Sequence, residues 1–145
     1  AQLIQWNCRG LRTRRENIEI LLSQYSPAVL CLQETRLKDG INQTFKHHQV
    51  YYCNTDSGNG GVAIKLKNTV VHSTVPLQTP LQAVAVRITL NEKAYTICSI
   101  YVPPTEPLRL AQLEALYKQL PSPFILMGDF NAHNPYEEQN ILMHE

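Results

Sequence analysis

Apolar and polar positions along this chain follow two periods. Leu3-Ile4-Gln5-Trp6-Asn7 reads as a short strand. Ile18, Leu21, Leu22 and Tyr25 recur at i, i+3, i+4 and i+7, the stripe of an amphipathic helix, and Pro27 ends it. Ala28-Val29-Leu30-Cys31-Leu32 is a continuous apolar run, as expected of a strand buried on both faces. Turns follow at Lys38-Asp39-Gly40 and at Ser57-Gly58-Asn59-Gly60-Gly61. Val62, Ile64 and Leu66 then alternate with Ala63, Lys65 and Lys67, which predicts a half-exposed strand. Val84, Val86, Ile88 and Leu90 alternate in the same way. After the tight turn Asn91-Glu92-Lys93 a further strand runs from about Ala94 to Val102, so these two form a hairpin, and Pro103-Pro104 stops it.

Leu110, Leu113, Leu116, Tyr117 and Leu120 stripe a second helix, with Pro107 near its start and Pro121 and Pro123 beyond its end. Phe124 to Met127 is a last buried strand, leading into Gly128-Asp129-Phe130-Asn131. From Ala132 onward the chain reads as polar and irregular. There is no internal repeat and no long linker. Strands and helices mix, and the hairpin excludes a purely parallel sheet. The class is α/β or α+β, with a mixed sheet packed on helices.

Composition changes this picture little. At 145 residues with 43% hydrophobic and 17% charged residues, the chain suits one globular domain and not a disordered segment. Thirteen basic and 12 acidic residues leave a net charge of +1, which excludes a uniformly basic nucleic-acid coat but not a local basic patch. No apolar run approaches the roughly 20 residues of a membrane helix, so no membrane partner is expected. Ala1 as first residue, with no basic-then-apolar leader, is expected of a processed or cut-out segment. The cysteines Cys8, Cys31, Cys53 and Cys98 form no C-x-x-C and sit mostly in strand-like runs. They read as free, mostly buried thiols of a reducing compartment, and zinc is not expected.

Four strand-like segments end in polar residues: Trp6-Asn7-Cys8-Arg9-Gly10, Leu32-Gln33-Glu34-Thr35-Arg36, Ile100-Tyr101-Val102-Pro103-Pro104 and Met127-Gly128-Asp129-Phe130-Asn131. Sites assemble at strand ends in layered α/β folds, so Asn7, Glu34, Tyr101, Asp129 and Asn131 are expected to meet at one edge. Glu34 and Asp129 are hard oxygen ligands, suited to magnesium. Two amides and a phenol can hold phosphate oxygens without cancelling a metal's charge, and a carboxylate can orient or deprotonate a metal-activated water. The set fits phosphoester hydrolysis.

Each residue also has a plainer reading. Asn7 and Asn131 are ordinary turn residues, Asp129 a cap, Glu34 a partner for Arg36, and Tyr101 a core aromatic. Four such ends with compatible chemistry weigh against all the plain readings together. Arg9, Arg12, Arg14 and Arg15 place four cations where a helix dipole opposes them, which points to an anionic partner such as a nucleic-acid backbone. His133, two residues past Asn131, reads equally as a border of the same edge or as a turn residue. His47-His48 reads as an exposed loop pair. Gly58, Gly60 and Gly61 do not match a phosphate-binding loop and read as turn residues.

Read in order from about Leu3 to Pro135, the strings Trp6-Asn7-Cys8-Arg9-Gly10-Leu11, Leu32-Gln33-Glu34-Thr35, Tyr101-Val102-Pro103-Pro104 and Gly128-Asp129-Phe130-Asn131-Ala132-His133 resemble the endonuclease/exonuclease/phosphatase superfamily. Within it they resemble most the apurinic-type endonuclease domain of non-LTR (LINE-like) retrotransposons. The resemblance implies a DNase I-like, four-layered α/β sandwich with two facing mixed sheets. It implies Glu34 as principal metal ligand, normally for Mg2+ with Mn2+ as the alternative, and Asn7 as an amide near metal and phosphate. It implies Tyr101 as a phosphate contact, Asp129 as the acid that orients or deprotonates the attacking water, and Asn131 as an amide steadying the phosphate.

Such a domain nicks one strand of target DNA in the nucleus, and the freed 3′ hydroxyl primes a reverse transcriptase carried in the same polyprotein. The alternatives are another phosphoesterase of the superfamily (AP endonuclease, exonuclease or phosphatase) or a catalytically dead remnant that binds DNA through its arginines. Family members carry a later Asp-His motif, and no Ser-Asp-His string occurs here. Residues 1–145 are therefore expected to be the N-terminal and central part of one domain. In that case the second sheet lacks most of its strands and an apolar face is uncovered, so the chain is expected either to be marginal alone or to cover that face with a partner.

Overall fold

The computed structural model describes residues 2–38, 41–107 and 109–130, together with the backbone of 140–144. The elements are β1 (Leu3–Asn7), α1 (Arg15–Tyr25), β2 (Val29–Gln33), β3 (His48–Cys53), β4 (Val62–Lys67), β5 (Val71–Val75), β6 (Gln82–Leu90), β7 (Lys93–Tyr101), α2 (Leu110–Tyr117), β8 (Phe124–Asp129) and β9 (Asn140–His144). They form two mixed sheets, one in the order β1-β2-β4-β3 and the other β5-β6-β7-β8-β9.

Strand alternation sorts the side chains into layers. Val29, Cys31, Ile64 and Leu66 of the first sheet meet Val86, Ile88, Ile97 and Met127 of the second in a core between them. On the outer face of the first sheet, Leu30, Leu32 and Ala63 pack with Ile18 of α1. On the outer face of the second, Ala85, Cys98 and Leu126 pack with Leu113 and Leu116 of α2. The result is helix, sheet, sheet, helix. β2 is buried at all five positions because it is covered on both faces, which explains its unbroken apolar run.

Two parallel pairs organise this frame. β1 pairs with β2 in parallel, with Asn7 opposite Gln33, and α1 makes the crossover. β7 pairs with β8 in parallel, with Tyr101 opposite Asp129, and α2 makes the crossover. Parallel neighbours need such a crossover, so each sheet contributes one βαβ unit whose strands end at the same edge. α1 stops at Ser26, a left-handed cap (φ 44) whose N–H bonds the Leu22 carbonyl, immediately before Pro27. The predicted hairpin joins β6 and β7 through Asn91 and Glu92, both at positive φ.

Several expectations are corrected. The second sheet has five strands. β5 is mostly exposed and carries His72, Ser73 and Thr74, so no apolar alternation announces it. β9 lies in the segment read as irregular and pairs antiparallel with β8. Each sheet packs one helix against its outer face. His48 opens β3 and is half-buried, with Nδ1 2.8 Å from the Lys46 carbonyl. Tyr25 and Leu110, placed on apolar stripes, are 56% and 69% exposed, each being a terminal residue of its helix.

All four cysteines are free, and three are buried. Burial pushes the Cys8 thiol up to about 11 and the Cys31 thiol up to about 12.

Candidate active site

Strand parity aims the site. Asn7 shares its face of β1 with Leu3, Tyr101 shares its face of β7 with Ile97, and Asp129 shares its face of β8 with Met127. All three neighbours belong to the core between the sheets. Asn7, Tyr101 and Asp129 thus point between the sheets at the edge where the parallel strands end. Asn7 Nδ2 donates to Asp129 Oδ2 at 2.7 Å, joining residues 122 positions apart and one sheet to the other. Asn7 Oδ1 is buried and has no hydrogen-bond partner. Tyr101 is 6% exposed.

Below this edge runs a second bridge. Gln33 and Ser99 are both fully buried. Gln33 Nε2 donates to Ser99 Oγ at 3.1 Å, and Ser99 Oγ donates to the Leu32 carbonyl at 3.1 Å. Buried polar groups are costly unless paired, so this bridge favours one spacing of the two sheets.

Glu34 lies one residue beyond β2, at φ 53. The N-C-R-G-L string holds it from one side. The Cys8 N–H bonds the Gln33 carbonyl at 3.0 Å, the Gly10 N–H bonds the Glu34 carbonyl at 2.8 Å, and the Leu11 N–H bonds the Thr35 carbonyl at 2.9 Å. The Glu34 carboxylate stands 3.5 Å from Arg36 Nη2 and is 18% exposed, with Arg36 half-exposed. An ion pair so open to water contributes little to stability. Glu34 and Tyr101 line one cavity of about 590 Å³ with Arg36, Ser57, Asn59 and Gln82. Asn7 and Asp129 line another of about 360 Å³ with Trp6, Arg9, Arg14 and Asn17.

The structure thus brings Asn7, Glu34, Tyr101 and Asp129 to one edge of the sandwich. Asn131 and His133 lie outside the described residues. Arg9 and Arg14 are exposed beside the Asn7–Asp129 pair, and Arg12 is exposed in the preceding turn. Arg15 is occupied within the fold. It donates to Gln43 Oε1 at 3.4 Å and to the Thr44 carbonyl at 2.7 Å, lies 3.4 Å from Glu19, and stacks on the Phe45 ring. Sequence reasoning missed Gln33, Ser99 and Gln82. Nothing in their local pattern marks them, because their partners are far away in the chain.

Residues 4–140 match the model of the Endonuclease/Exonuclease/phosphatase family. The chain belongs to the endonuclease/exonuclease/phosphatase family. Among curated proteins it is 29% identical over 135 residues to the RNA-directed DNA polymerase from mobile element jockey of Drosophila melanogaster. It is 27% identical over 139 residues to the probable RNA-directed DNA polymerase from transposon X-element of the same fly. Each match covers 90% of this chain and 15% of the relative, so the chain spans about one-seventh of these proteins.

In structure it is similar to the endonuclease domain of TRAS1, a telomere-specific non-LTR retrotransposon (TM-score 0.72, 22% identity), covering 90% of this chain and 59% of that one. It is also similar to an AP endonuclease from Archaeoglobus fulgidus (TM-score 0.60, 22% identity), covering 91% and 58%. These likenesses bear out the DNase I-like sandwich.

The family is generally dependent on a divalent metal ion, and the residues present fit one. The partnerless buried Asn7 Oδ1 and the Glu34 carboxylate are oxygen donors at the same edge. Among the described residues no cluster of three His, Cys, Asp or Glu side chains occurs. Carboxylate and amide oxygens are hard donors of the kind a divalent cation takes.

Proposed function

We propose that this chain is the nuclease part of a non-LTR retrotransposon polyprotein. In this reading it hydrolyses a DNA phosphodiester with a divalent metal ion, Mg2+ in preference to Mn2+. The nick primes a reverse transcriptase domain of the same polyprotein, and the action is nuclear. Residues 1–145 are read as the N-terminal and central part of the domain, which the 59% coverage of the TRAS1 endonuclease supports. The observation that carries the reading is the Asn7–Asp129 hydrogen bond, which closes the two sheets over a polar edge.

Glu34, with Asn7 Oδ1, would hold the metal ion, which when bound supplies positive charge to the scissile phosphate and acidifies water. The Asn7 N–H fixes one oxygen of Asp129, leaving the carboxylate oriented to align a water and take its proton. Tyr101, beside Glu34 in the same cavity, would steady the phosphate. Arg9 and Arg14 stand where the DNA backbone would approach. The same arginines favour a second reading, DNA binding without cleavage.

Nicking of supercoiled plasmid with Mg2+ separates the two. The parent is expected to nick, and Asp129→Asn to lose about 10²- to 10⁴-fold, the usual contribution of a general base. Salt-sensitive binding by a folded parent that never nicks would establish the second reading instead.

A further inference from the structure

The cavity lined by Glu34 and Tyr101 has a wall that no sequence motif announces. Gln82 opens β6 directly across the ladder from Tyr101. Its Oε1 accepts the Gly61 N–H at 2.6 Å. A side chain rooted in the second sheet therefore grips the glycine turn that precedes β4 in the first. That turn in its turn holds Glu34. The Thr35 N–H donates to the Gly61 carbonyl at 3.2 Å, and the Arg36 N–H to the Gly60 carbonyl at 2.8 Å.

Residues 34–36 are thus held from both sides, their carbonyls by Gly10 and Leu11 and their N–H groups by the glycine turn. They need this support. Glu34 (φ 53) and Arg36 (φ 54) occupy the left-handed region, which L residues adopt at a cost and keep only where surrounding contacts over-determine it. The turn is glycine because the approach is close. A Cβ on Gly60 (φ 72) would run into Gln82 Oε1, and one on Gly61 (φ 87) would sit 2.6 Å from Thr35 Oγ1.

We propose that Gln82 is a positioning residue. Its amide oxygen sets the glycine turn, the turn sets the 34–36 strap, and the strap sets the Glu34 carboxylate opposite Tyr101. The mechanical part stands on the hydrogen bonds alone. Its consequence for the site rests on the reading of Glu34 as a metal ligand.

The test is amide hydrogen exchange by NMR on the 145-residue chain, beside Mn2+ binding followed by the loss of the free-ion EPR signal. Gln82→Asn is one methylene too short to reach Gly61 but stays polar and half-buried. Its Gly61, Thr35 and Arg36 amides are expected to exchange about five- to tenfold faster, the worth of one hydrogen bond, with the β2–β4 ladder unchanged. Gln82→Glu keeps the acceptor and should restore slow exchange at these three amides. Mn2+ affinity should weaken several-fold in Gln82→Asn, in the direction of Glu34→Gln.

Unchanged exchange at Thr35 and Arg36 in Gln82→Asn overturns the proposal. So does an increase spread over the whole sheet, which would make Gln82 merely structural. Faster strap exchange with unchanged Mn2+ affinity removes the link to the site. A parent whose Mn2+ binding ignores Glu34→Gln sinks the metal reading, and the exchange result still judges Gln82.

Discussion

The two βαβ units solve the same problem differently. In the β7-α2-β8 unit, Tyr101 and Asp129 are the last register partners of the ladder. Backbone pairing sets the spacing of their main chains. In the β1-α1-β2 unit, Asn7 ends the ladder opposite Gln33, and Glu34 lies one residue past it in a left-handed turn. Its position depends on amides from the N-C-R-G-L string on one side and on the glycine turn on the other. A residue inside a ladder is placed by the sheet itself. A residue past its end is placed only as well as its neighbours hold it.

The outer faces differ as well. Under α2, Arg87 donates to the carbonyls of Pro121, Ser122 and Pro123 and to Thr96 Oγ1. Under α1, Lys65 is 1% exposed, its Nζ has no hydrogen-bond partner, and it lies 3.3 Å from the centre of the Phe45 ring. Burial, with Arg15 adding to it, lowers the Lys65 amine to about 7. One face hydrogen-bonds its half-buried cation, and the other rests its buried cation on an aromatic ring.

The strongest way to break the comparison is through the crossover helices. Ile18→Ala under α1 and Leu116→Ala under α2 each empty a fully buried site. Each is expected to cost about 2–5 kcal/mol in urea unfolding. Matching losses would show that both units carry the fold, whereas a negligible loss for one would mark that helix as dispensable.

Next is the bond that joins the units. Asn7→Ala leaves Asp129 without its 2.7 Å donor, and nicking should fall about 10²-fold, as for a misplaced catalytic group. Its unfolding midpoint should stay near the parent's, because Asn7 is only half-buried. Unchanged nicking would show that the ladder alone aligns Asp129.

Gly61→Ala sharpens the contrast in the other unit. A Cβ there meets Thr35 Oγ1 at φ 87, so a loss of about 1–3 kcal/mol is expected, with weaker nicking. Full activity and stability would mean that Glu34 needs no such support.

The smallest effect is a slope. The Lys65 amine is near 7 in the fold and 10.5 when free, so between these values the unfolded chain holds a proton that the fold has released. Stability from this group therefore rises with pH above about 7. Cys31 works in the opposite sense only above its ordinary value of 9.0, and the depressed His48 acts below 6.5. Urea midpoints at pH 7 and pH 8.5 isolate Lys65. The midpoint should increase over that interval in the parent and stay flat in Lys65→Met, and equal slopes would assign the effect elsewhere.

Much of the frame was legible in the chain because its signals are local. The periods of β2, β6 and β7, the stripes of α1 and α2, and the Asn91–Glu92 turn each span a few residues; β4 was legible as a strand but not as half-exposed, for it is buried at five of its six positions with both faces covered. The four polar strand ends were legible for the same reason. What escaped was β3, β5 and β9. β5 presents one face to water and carries polar residues, so its place is set by pairing with β6 and not by its own pattern.

By itself, then, the sequence determined which segments extend or coil, where strands end, and which oxygen-bearing residues stand at those ends. Only the tertiary structure decided which ends meet. Asn7 reaches Asp129 across 122 residues, Gln33 reaches Ser99 across 66, and Gln82 grips a turn 21 residues earlier. Periodicity reports what a residue's immediate neighbours allow. Such contacts exist only after two sheets have closed on a shared apolar core, so no window along the chain contains them.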